Sequence, residues 1–271
     1  MTTDVPSPLA RDRFPLRGHT VVVTGVSRRE GIGFATACRL AAYGADVFCQ
    51  HYSPHDAEQP WGADDVDAVL DGVREHCAEG ARIVGMHADF TDPDVPSQMI
   101  EAAAEEFGRL SGLVCNHAQS GSDGTLAEMS ADWLDSHWAV NTRASLLLAK
   151  AFAARHRVHD PASIVFMTSG QTQGPMPGEV AYAASKAAIA GVTLTISQEL
   201  AAQGIRVNTV NPGPVDTGYM TPEILEATRG MFPFGRFGQP DDAARLIAWL
   251  LTAEAEWITG QVLNSEGGFT R

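Results

Sequence analysis

The stretch TVVVTGVSRREGIG at residues 20–33 decides the fold. It begins with β-branched residues, which favour a short strand, and continues into a glycine-rich turn. A helical stretch follows at about 34–43, and Gly44 ends it. Glycines between a strand and a helix let a pyrophosphate approach the helix N-terminus. The stretch therefore predicts a dinucleotide-binding turn, and a plain glycine-rich turn is the alternative.

Strands and helices alternate along the rest of the chain, which predicts a parallel sheet covered on both faces. We expect an α/β fold: a single doubly wound Rossmann domain at 17–271 with a seven-stranded parallel sheet, preceded by a flexible leader at 1–16. Further strands are predicted at 45–50, 82–87, 113–115, 163–168, 206–210 and 261–264, and further helices at 66–77, 95–107, 138–157, 182–203 and 241–251. The stretch 53–71 is expected to be an inserted surface loop with a short helix, in which Trp61 could cover an adenosine.

The formal net charge of −14 and the pI near 4.9 argue against nucleic-acid or anionic-membrane partners, because both rely on basic surfaces. The four cysteines form no C-x-x-C pair, so a reducing cytoplasm is the expected location. The first 17 residues lack the apolar core of a signal peptide or a membrane span. His51-x-x-x-His55 and His156-x-x-His159 have metal-compatible spacings, but neither has a clear partner set, and we expect no metal site.

A second set of residues has the chemistry for proton transfer. Tyr182 and Lys186 are four residues apart in a helix-forming segment and so share one helical face. An ammonium beside a phenol should lower the pKa of the phenol from about 10. Ser169 follows the apolar strand at 163–168 and adds a hydroxyl donor. Together these groups suit reversible protonation of a carbonyl oxygen, although such a pair also occurs by chance on helix surfaces.

From residue 16 to residue 269 the chain resembles the short-chain dehydrogenase/reductase family. The family's Thr-Gly-x-x-x-Gly-x-Gly motif is present with two extra residues between Gly25 and Gly31, which places Arg28 and Arg29 in a widened loop. Enoyl reductases of the family have a similar widening, but they separate tyrosine and lysine by six residues, whereas this chain has three. The carbonyl-reductase branch fits better, and the closest general likeness is to 3-oxoacyl-thioester reductases.

The resemblance implies a catalytic set of Asn141, Ser169, Tyr182 and Lys186. Ser169 and Tyr182 would bind the substrate oxygen, and Tyr182 would give up its proton as hydride moves to carbon. Lys186 would bind the ribose hydroxyls and lower the pKa of Tyr182, while Asn141 would hold a relay water. In reverse, the same groups would oxidise a secondary alcohol.

The resemblance also implies a coenzyme site. The usual acid at the end of the second strand is replaced by His51, and Arg28 and Arg29 could hold a 2′-phosphate. We therefore expect NADP(H), with NAD(H) as the alternative if the arginines are only solvated charges. His117 and Gln119 depart from the family's Asn-Asn-Ala-Gly motif. The expected coenzyme residues are Gly25, Ser27, Arg28, Arg29, Gly31, Ile32, Gly33, His51, Asp89, Phe90, Asn116, His117, Ala118, Tyr182, Lys186, Pro212, Gly213, Val215 and Thr217.

The substrate would be a small carbonyl or alcohol compound, enclosed by an apolar lid segment at 217–239. Packing against a neighbouring subunit is the alternative role of the lid aromatics. A homo-oligomer, tetramer or dimer, is expected through the helices at 138–157 and 182–203. The expected substrate contacts are Gln119, Gly170, Gln171, Met176, Tyr219, Met220 and Phe232.

Three functions follow from these residues. The first is an NADP(H)-dependent ketone or 3-oxoacyl reductase. The second is an NAD(P)-dependent alcohol dehydrogenase or a nonredox relative. The third, from another class, is a catalytically idle NADP(H)-binding regulatory protein, which the intact catalytic set argues against.

Overall fold

The structure is a computed structural model that describes residues 11–158 and 160–270. Its centre is a seven-stranded sheet in the order β3-β2-β1-β4-β5-β6-β7, and every pairing is parallel. The predicted doubly wound α/β fold is confirmed. The strands are β1 (Thr20–Val23), β2 (Asp46–His51), β3 (Ile83–His87), β4 (Gly112–Cys115), β5 (Ala162–Met167), β6 (Ile205–Asn211) and β7 (Val262–Asn264).

Helices cover both faces of the sheet. They are α1 (Ile32–Ala42), α2 (Ser53–Ala57), α3 (Val66–Arg74), α4 (Val95–Phe107), α5 (Ala131–His137), α6 (Ser145–Arg155), α7 (Val180–Leu200), α8 (Pro222–Thr228) and α9 (Pro240–Leu251). The buried side chains form two clusters, one for each face of the sheet. Val21 and Val23 of β1 belong to one cluster and Val22 to the other, as expected for a strand buried on both sides.

The helix predicted at 138–157 differs from the structure. Helical residues already begin at Ala131, and a π-helical segment, Trp138–Ala144, separates α5 from α6. The wider π turn changes which backbone groups pair, and the hydroxyl of Ser145 donates to the carbonyl of Asn141 at 2.8 Å. The irregular segment therefore contains Asn141, one of the predicted catalytic residues.

The folded part of the described chain includes the end of the stretch expected to be a leader. Leu16 is fully buried in the core, and its backbone N–H donates to the carbonyl of Tyr43 at 3.0 Å. Phe14 lies between the guanidinium groups of Arg13 and Arg17. Residues 1–10 lie outside the described residues, so the expectation of flexibility there stays a prediction.

Helix α7 is the longest helix of the described chain. With the following turn, Val180–Gln203, it is long and apolar enough to cross a membrane by length and composition alone. In the fold it packs against β6 and the π segment, and it buries Ser185, Lys186 and Thr193. This packing buries about a third of the apolar segment, 33%.

Candidate active site

The predicted site residues meet at the carboxyl edge of the sheet. The glycine turn follows β1, Asn116 follows β4, Ser169 follows β5 and Pro212 follows β6. In open parallel sheets a ligand binds at this edge, where neighbouring connections leave in opposite directions. The strand order places that point between β1 and β4.

The glycine turn is shaped for close approach of a ligand. Gly25 has a φ of 74°, and a Cβ at this position would lie 2.9 Å from Nδ2 of Asn116. A Cβ on Gly33 would collide with the carbonyl oxygen of Gly25. Helix α1 begins at Ile32 after Gly31, with no side-chain cap and no acid in its first turn. These features fit the pyrophosphate of a dinucleotide, whose negative charge suits an uncapped helix N-terminus.

Asn116 joins β4 to the glycine turn. Its Nδ2 donates to the carbonyls of Thr24 at 3.0 Å and Gly25 at 3.3 Å. The next two residues of the predicted coenzyme site differ in exposure, since Ala118 is half-buried and His117 is buried. Asn116 thus holds the turn in the conformation that the glycines permit.

His117 uses both ring nitrogens within the protein. Nε2 lies 3.0 Å from the carbonyl of Val140, to which it donates, and Nδ1 lies 2.7 Å from the hydroxyl of Thr24, from which it accepts. Burial, with a smaller contribution from the charge of Lys186, lowers the pKa of His117 to about 3. The imidazole is therefore neutral and connects β1, β4 and the π segment.

Asn141 lies between α7 and the loop after β4. Its Oδ1 accepts from the backbone N–H of Gln119 at 2.6 Å, and its Nδ2 donates to the carbonyl of Gln119 at 3.1 Å and to Ser185 Oγ at 3.0 Å. The side chain is 1% exposed. These bonds fix the backbone at Gln119. The replacement of the family's motif residue by Gln119 therefore changes the side chain at this position, while Asn141 holds the main chain.

Ser169 and Tyr182 are brought together as the sequence predicted. Burial raises the pKa of Tyr182 to about 12, although a hydrogen bond with Ser169 acts in the opposite direction. The expectation that Lys186 lowers this pKa is wrong for the structure. The Lys186 ammonium lies 5.7 Å from the centroid of the Tyr182 ring and donates to the carbonyl of Met167 at 3.2 Å. Burial of the phenol outweighs a cation at that distance.

Lys186 is itself strongly affected by the protein interior. It is 3% exposed, and burial lowers its pKa to about 8. The ammonium and the neutral amine are therefore both accessible near neutral pH, which is the property needed in a proton relay.

The sequence did not predict Asp123, the residue that caps α7. Asp123, in the loop after β4, accepts from the backbone N–H groups of Ala181 at 3.0 Å and Tyr182 at 2.7 Å. Burial raises the pKa of Asp123, but the donated hydrogen bonds lower it by more, so the net shift is downward. The positive φ angles of Gly121 and Ser122 mark the turn that brings it there. Only the glycines of this loop were visible as a signal in the sequence.

Aromatic side chains pack together at the ends of β2 and β3, where the adenosine of the coenzyme is expected and which we call the adenosine end. His51 and Tyr52 lie 5.8 and 5.4 Å from the ring of His87, and Nδ1 of His51 is buried without a hydrogen-bond partner. Asp89 accepts from the backbone N–H of Thr91 at 2.9 Å. Phe90, also predicted at this end, packs on His117 with 4.4 Å between ring centroids.

The two arginines of the widened loop point in different directions. Arg28 donates from Nη1 to the carbonyl of Thr217 at 3.0 Å, and its guanidinium lies over Trp61 at 5.5 Å from the ring centroid. Its Nε is buried with no partner. Arg29 donates from Nη2 to the carbonyl of Ala68 in α3 at 2.6 Å. Arg28 therefore faces the segment after β6, and Arg29 is attached to α3.

The segment after β6 is tied to the sheet edge. Gly213 donates to Oδ1 of Asn211 at 3.0 Å, and Val215 forms an isolated parallel bridge with Gly238. Pro212 and Thr217 are half-buried along the same stretch. These residues follow β6 at the carboxyl edge, on the same edge as Ser169.

The predicted substrate residues differ in their exposure, and their role stays a prediction. Phe232 is 5% exposed and packs on Phe237 and Phe269, with centroids 4.4 and 4.8 Å away. Tyr219 is 42% exposed, and Met220 is half-buried. Near Ser169, Gly170 is buried and the amide of Gln171 lies 2.9 Å from the hydroxyl of Thr168, while Met176 is half-buried.

The histidine pairs with metal-compatible spacing are separated in the fold. The ring of His51 packs edge-on against that of His87, and His55 lies 3.4 Å from the hydroxyl of Ser120. His156 lies 3.1 Å from the carbonyl of Gln203, and His159 is outside the described residues. Within 11–158 and 160–270, no group of three or more histidine, cysteine or acidic side chains is arranged to hold a metal.

Comparison with known proteins agrees with this geometry. The family model described as "Enoyl-(Acyl carrier protein) reductase" matches residues 25–270. The chain is 43% identical to "Uncharacterized oxidoreductase YjdA" of Bacillus subtilis, over 92% of this chain and 96% of that protein. It is 33% identical to "NADPH-dependent aldehyde reductase-like protein, chloroplastic" of Arabidopsis thaliana, over 97% and 98%.

A solved structure is also similar over almost the whole length. It is a short chain dehydrogenase from Burkholderia cenocepacia in complex with NADP, with a TM-score of 0.81, 34% identity and coverage of 95% of this chain and 99% of that chain. The range matched by the family model, 25–270, includes the glycine turn, the predicted catalytic residues and the predicted lid segment. The chain therefore belongs to the short-chain dehydrogenase/reductase family and is an oxidoreductase that interconverts carbonyl compounds and alcohols.

Proposed function

We propose that the protein is an NADP(H)-dependent carbonyl reductase, acting on a ketone or a 3-oxoacyl compound. The observation that carries the proposal is the pairing of Ser169 with Tyr182 beside a buried Lys186, at the sheet edge where the glycine turn also lies. A carbonyl oxygen seated between the two hydroxyls would receive two hydrogen bonds.

The chemistry divides between the coenzyme and the chain. When bound, the nicotinamide supplies or takes up a hydride. Tyr182, whose pKa is raised to about 12, is protonated at neutral pH and can donate its proton to the substrate oxygen. Ser169 orients that oxygen, and Lys186 with its pKa near 8 can replace the proton. Asn141 holds the loop after β4 against α7 so that these groups keep their places.

The preference for NADP(H) rests on charge. His51 stands where an acid would repel a 2′-phosphate, and Arg28 offers a buried Nε without a partner near the glycine turn. The NADPH-dependent relative and the NADP complex support the same coenzyme. Kinetic comparison of NADPH with NADH tests it, and a clear NADH preference would contradict it.

The activity itself is tested with a substrate panel. Ketones, aldehydes and 3-oxoacyl thioesters are offered with NADPH, and secondary alcohols are offered with NADP⁺. Reduction of a ketone or 3-oxoacyl compound supports the proposal, and turnover only with alcohols makes the protein a dehydrogenase that works in the opposite direction. Absence of turnover across the panel, with coenzyme still bound, would leave a regulatory binding protein and refute the proposal.

We also propose a homo-oligomer, a dimer or tetramer, in a reducing compartment such as the cytoplasm. Leu134 of α5 and Trp138 of the π segment are exposed and line a surface groove with Ala184 of α7, and apolar surfaces of this kind favour association. The four cysteines are free thiols, which suits a reducing compartment. Light scattering in solution tests the assembly: a monomer with the Trp138 face still exposed would contradict it.

A further inference from the structure

A buried carboxylate lies against the glycine turn. Asp56 belongs to α2, in the inserted stretch 53–71, and it is 9% exposed. Its Oδ2 accepts from the hydroxyl of Ser27 at 2.5 Å, and its Oδ1 accepts from Nε1 of Trp61 at 3.3 Å. Both oxygens of the Asp56 carboxyl group are therefore held by donors, and one of these donors belongs to the glycine turn.

Asp56 lies shortly after β2 and contacts the glycine turn, and a coenzyme ribose is expected close to both. In dinucleotide-binding folds the pyrophosphate lies at the glycine turn, and an acid about 20 residues further on binds the ribose 2′-hydroxyl. Here the end of β2 provides His51 instead of an acid. Asp56 lies in the next helix, α2, and accepts from Ser27 in the glycine turn. It therefore lies near both the end of β2 and the glycine turn, and the ribose would lie between these two.

The same place also holds the cation that favours a 2′-phosphate. Arg28 follows Ser27 directly, and its guanidinium lies over Trp61, the residue that donates to Asp56. Arg28 attracts a phosphate, whereas Asp56 repels it and occupies the hydroxyl hydrogen of Ser27. The preference for NADP(H) over NAD(H) is then the difference between two opposing charges.

We propose that Asp56 is a coenzyme-discriminating residue, delivered by the inserted stretch, that weakens binding of the 2′-phosphate and so keeps NAD(H) usable. For NAD(H), the carboxylate is an acceptor for the ribose 2′-hydroxyl. For NADP(H), the phosphate has to compete with the carboxylate for Ser27. The inference rests on the proposed use of a nicotinamide coenzyme. The role that it assigns to the insert concerns the coenzyme and does not depend on the substrate.

The test compares the binding of NADPH and NADH to the wild-type protein and to Asp56→Asn. The amide keeps the volume and an acceptor oxygen for Ser27 or Trp61 but removes the charge. The ratio of the dissociation constants, NADH over NADPH, should rise about tenfold, which corresponds to about 1.4 kcal/mol. Coenzyme fluorescence or calorimetry gives the constants without turnover, so the result stands even if no carbonyl substrate is reduced.

Asp64→Asn is the matched control. Asp64 lies in the same insert and accepts from the backbone N–H of Arg29 at 2.7 Å, and its contact is exposed. If Asp56 acts specifically, the control changes the ratio less than twofold. Asp56→Ser, which also removes the charge, must move the ratio in the same direction as Asp56→Asn and covers the case in which the amide variant unfolds.

An unchanged or lowered ratio in the charge-removing variants would overturn the inference. So would an equal rise in Asp64→Asn, because that would make the effect a general one of the acidic insert. Failure of the reductase proposal has a different signature, since it appears as missing turnover while the coenzyme constants remain measurable.

Discussion

The two ends of the candidate site are built differently. At the substrate end, Ser169 directly follows β5, Asn141 lies in the π segment, and Tyr182 and Lys186 lie in α7, with the spacing of the family. At the adenosine end, the glycine turn is widened and an inserted helix, α2, lies against it through Asp56 and Ser27. The difference is consistent with our proposal that residues outside the basic fold adjust coenzyme choice, while the chemistry is shared with the family.

Replacing Tyr182 by Phe should have the largest effect at the substrate end. The ring is retained but the proton donor is lost, so kcat for carbonyl reduction should fall by about 100-fold or more. Steady-state kinetics measures the loss, and coenzyme binding serves as the control because the adenosine end is untouched. Turnover close to wild type would show that Tyr182 is not the acid.

The pH dependence of reduction should report Lys186. Its pKa is lowered to about 8 by burial, so the ammonium is present below that pH and is lost as the pH rises through it. The phenol, with a pKa near 12, stays protonated throughout. We expect kcat to decrease above about pH 8, by up to about tenfold per pH unit. A rate that stays flat to pH 10 would separate Lys186 from the proton path.

Substitutions of Arg28 and Arg29 compare the two arginines of the widened loop, whose side chains point in different directions. Arg28→Ala should weaken NADPH binding by about tenfold and NADH binding by less than twofold, because a charge-assisted contact to a phosphate is lost. Arg29→Ala is the matched control, since Arg29 is attached to the carbonyl of Ala68. Equal effects of the two variants on NADPH would contradict the assignment of Arg28.

The smallest effect is expected at the cap of α7, next to Tyr182. Asp123→Ala removes the acceptor for two backbone N–H groups, and loss of a helix cap costs about 1 kcal/mol of unfolding free energy. Because the pKa of Asp123 is lowered in the fold, its contribution is complete above the unfolded-state value and is lost as pH falls through the folded-state value. Thermal unfolding at neutral and acidic pH measures this, and a difference that grows on acidification would be inconsistent with the cap.

The features that the sequence predicted are local ones, and the features that it did not predict depend on packing between distant residues. The alternation of strands and helices, the glycine turn and the Tyr182–Lys186 spacing were readable because each depends on residues close together in the chain. The helix predicted at 138–157 was misplaced, since the π segment around Asn141 depends on packing between α5, α6 and α7. Phe232, predicted to contact the substrate, packs in an aromatic cluster with Phe237 and Phe269, a contact that no local sequence pattern predicts.

The sequence by itself determined the fold class and the family, and it predicted the four residues of the proposed catalytic set, because strand–turn–helix order and motif spacing are local properties of the chain. Only the tertiary structure decided the electrostatics. Burial sets the pKa of Tyr182 near 12 and that of Lys186 near 8, contrary to the simple expectation from their spacing. It also brought Asp123 to α7 and Asp56 to Ser27, contacts made between residues distant in the chain. Desolvation and long-range hydrogen bonds depend on the packed interior, and for that reason they cannot be read from neighbouring residues.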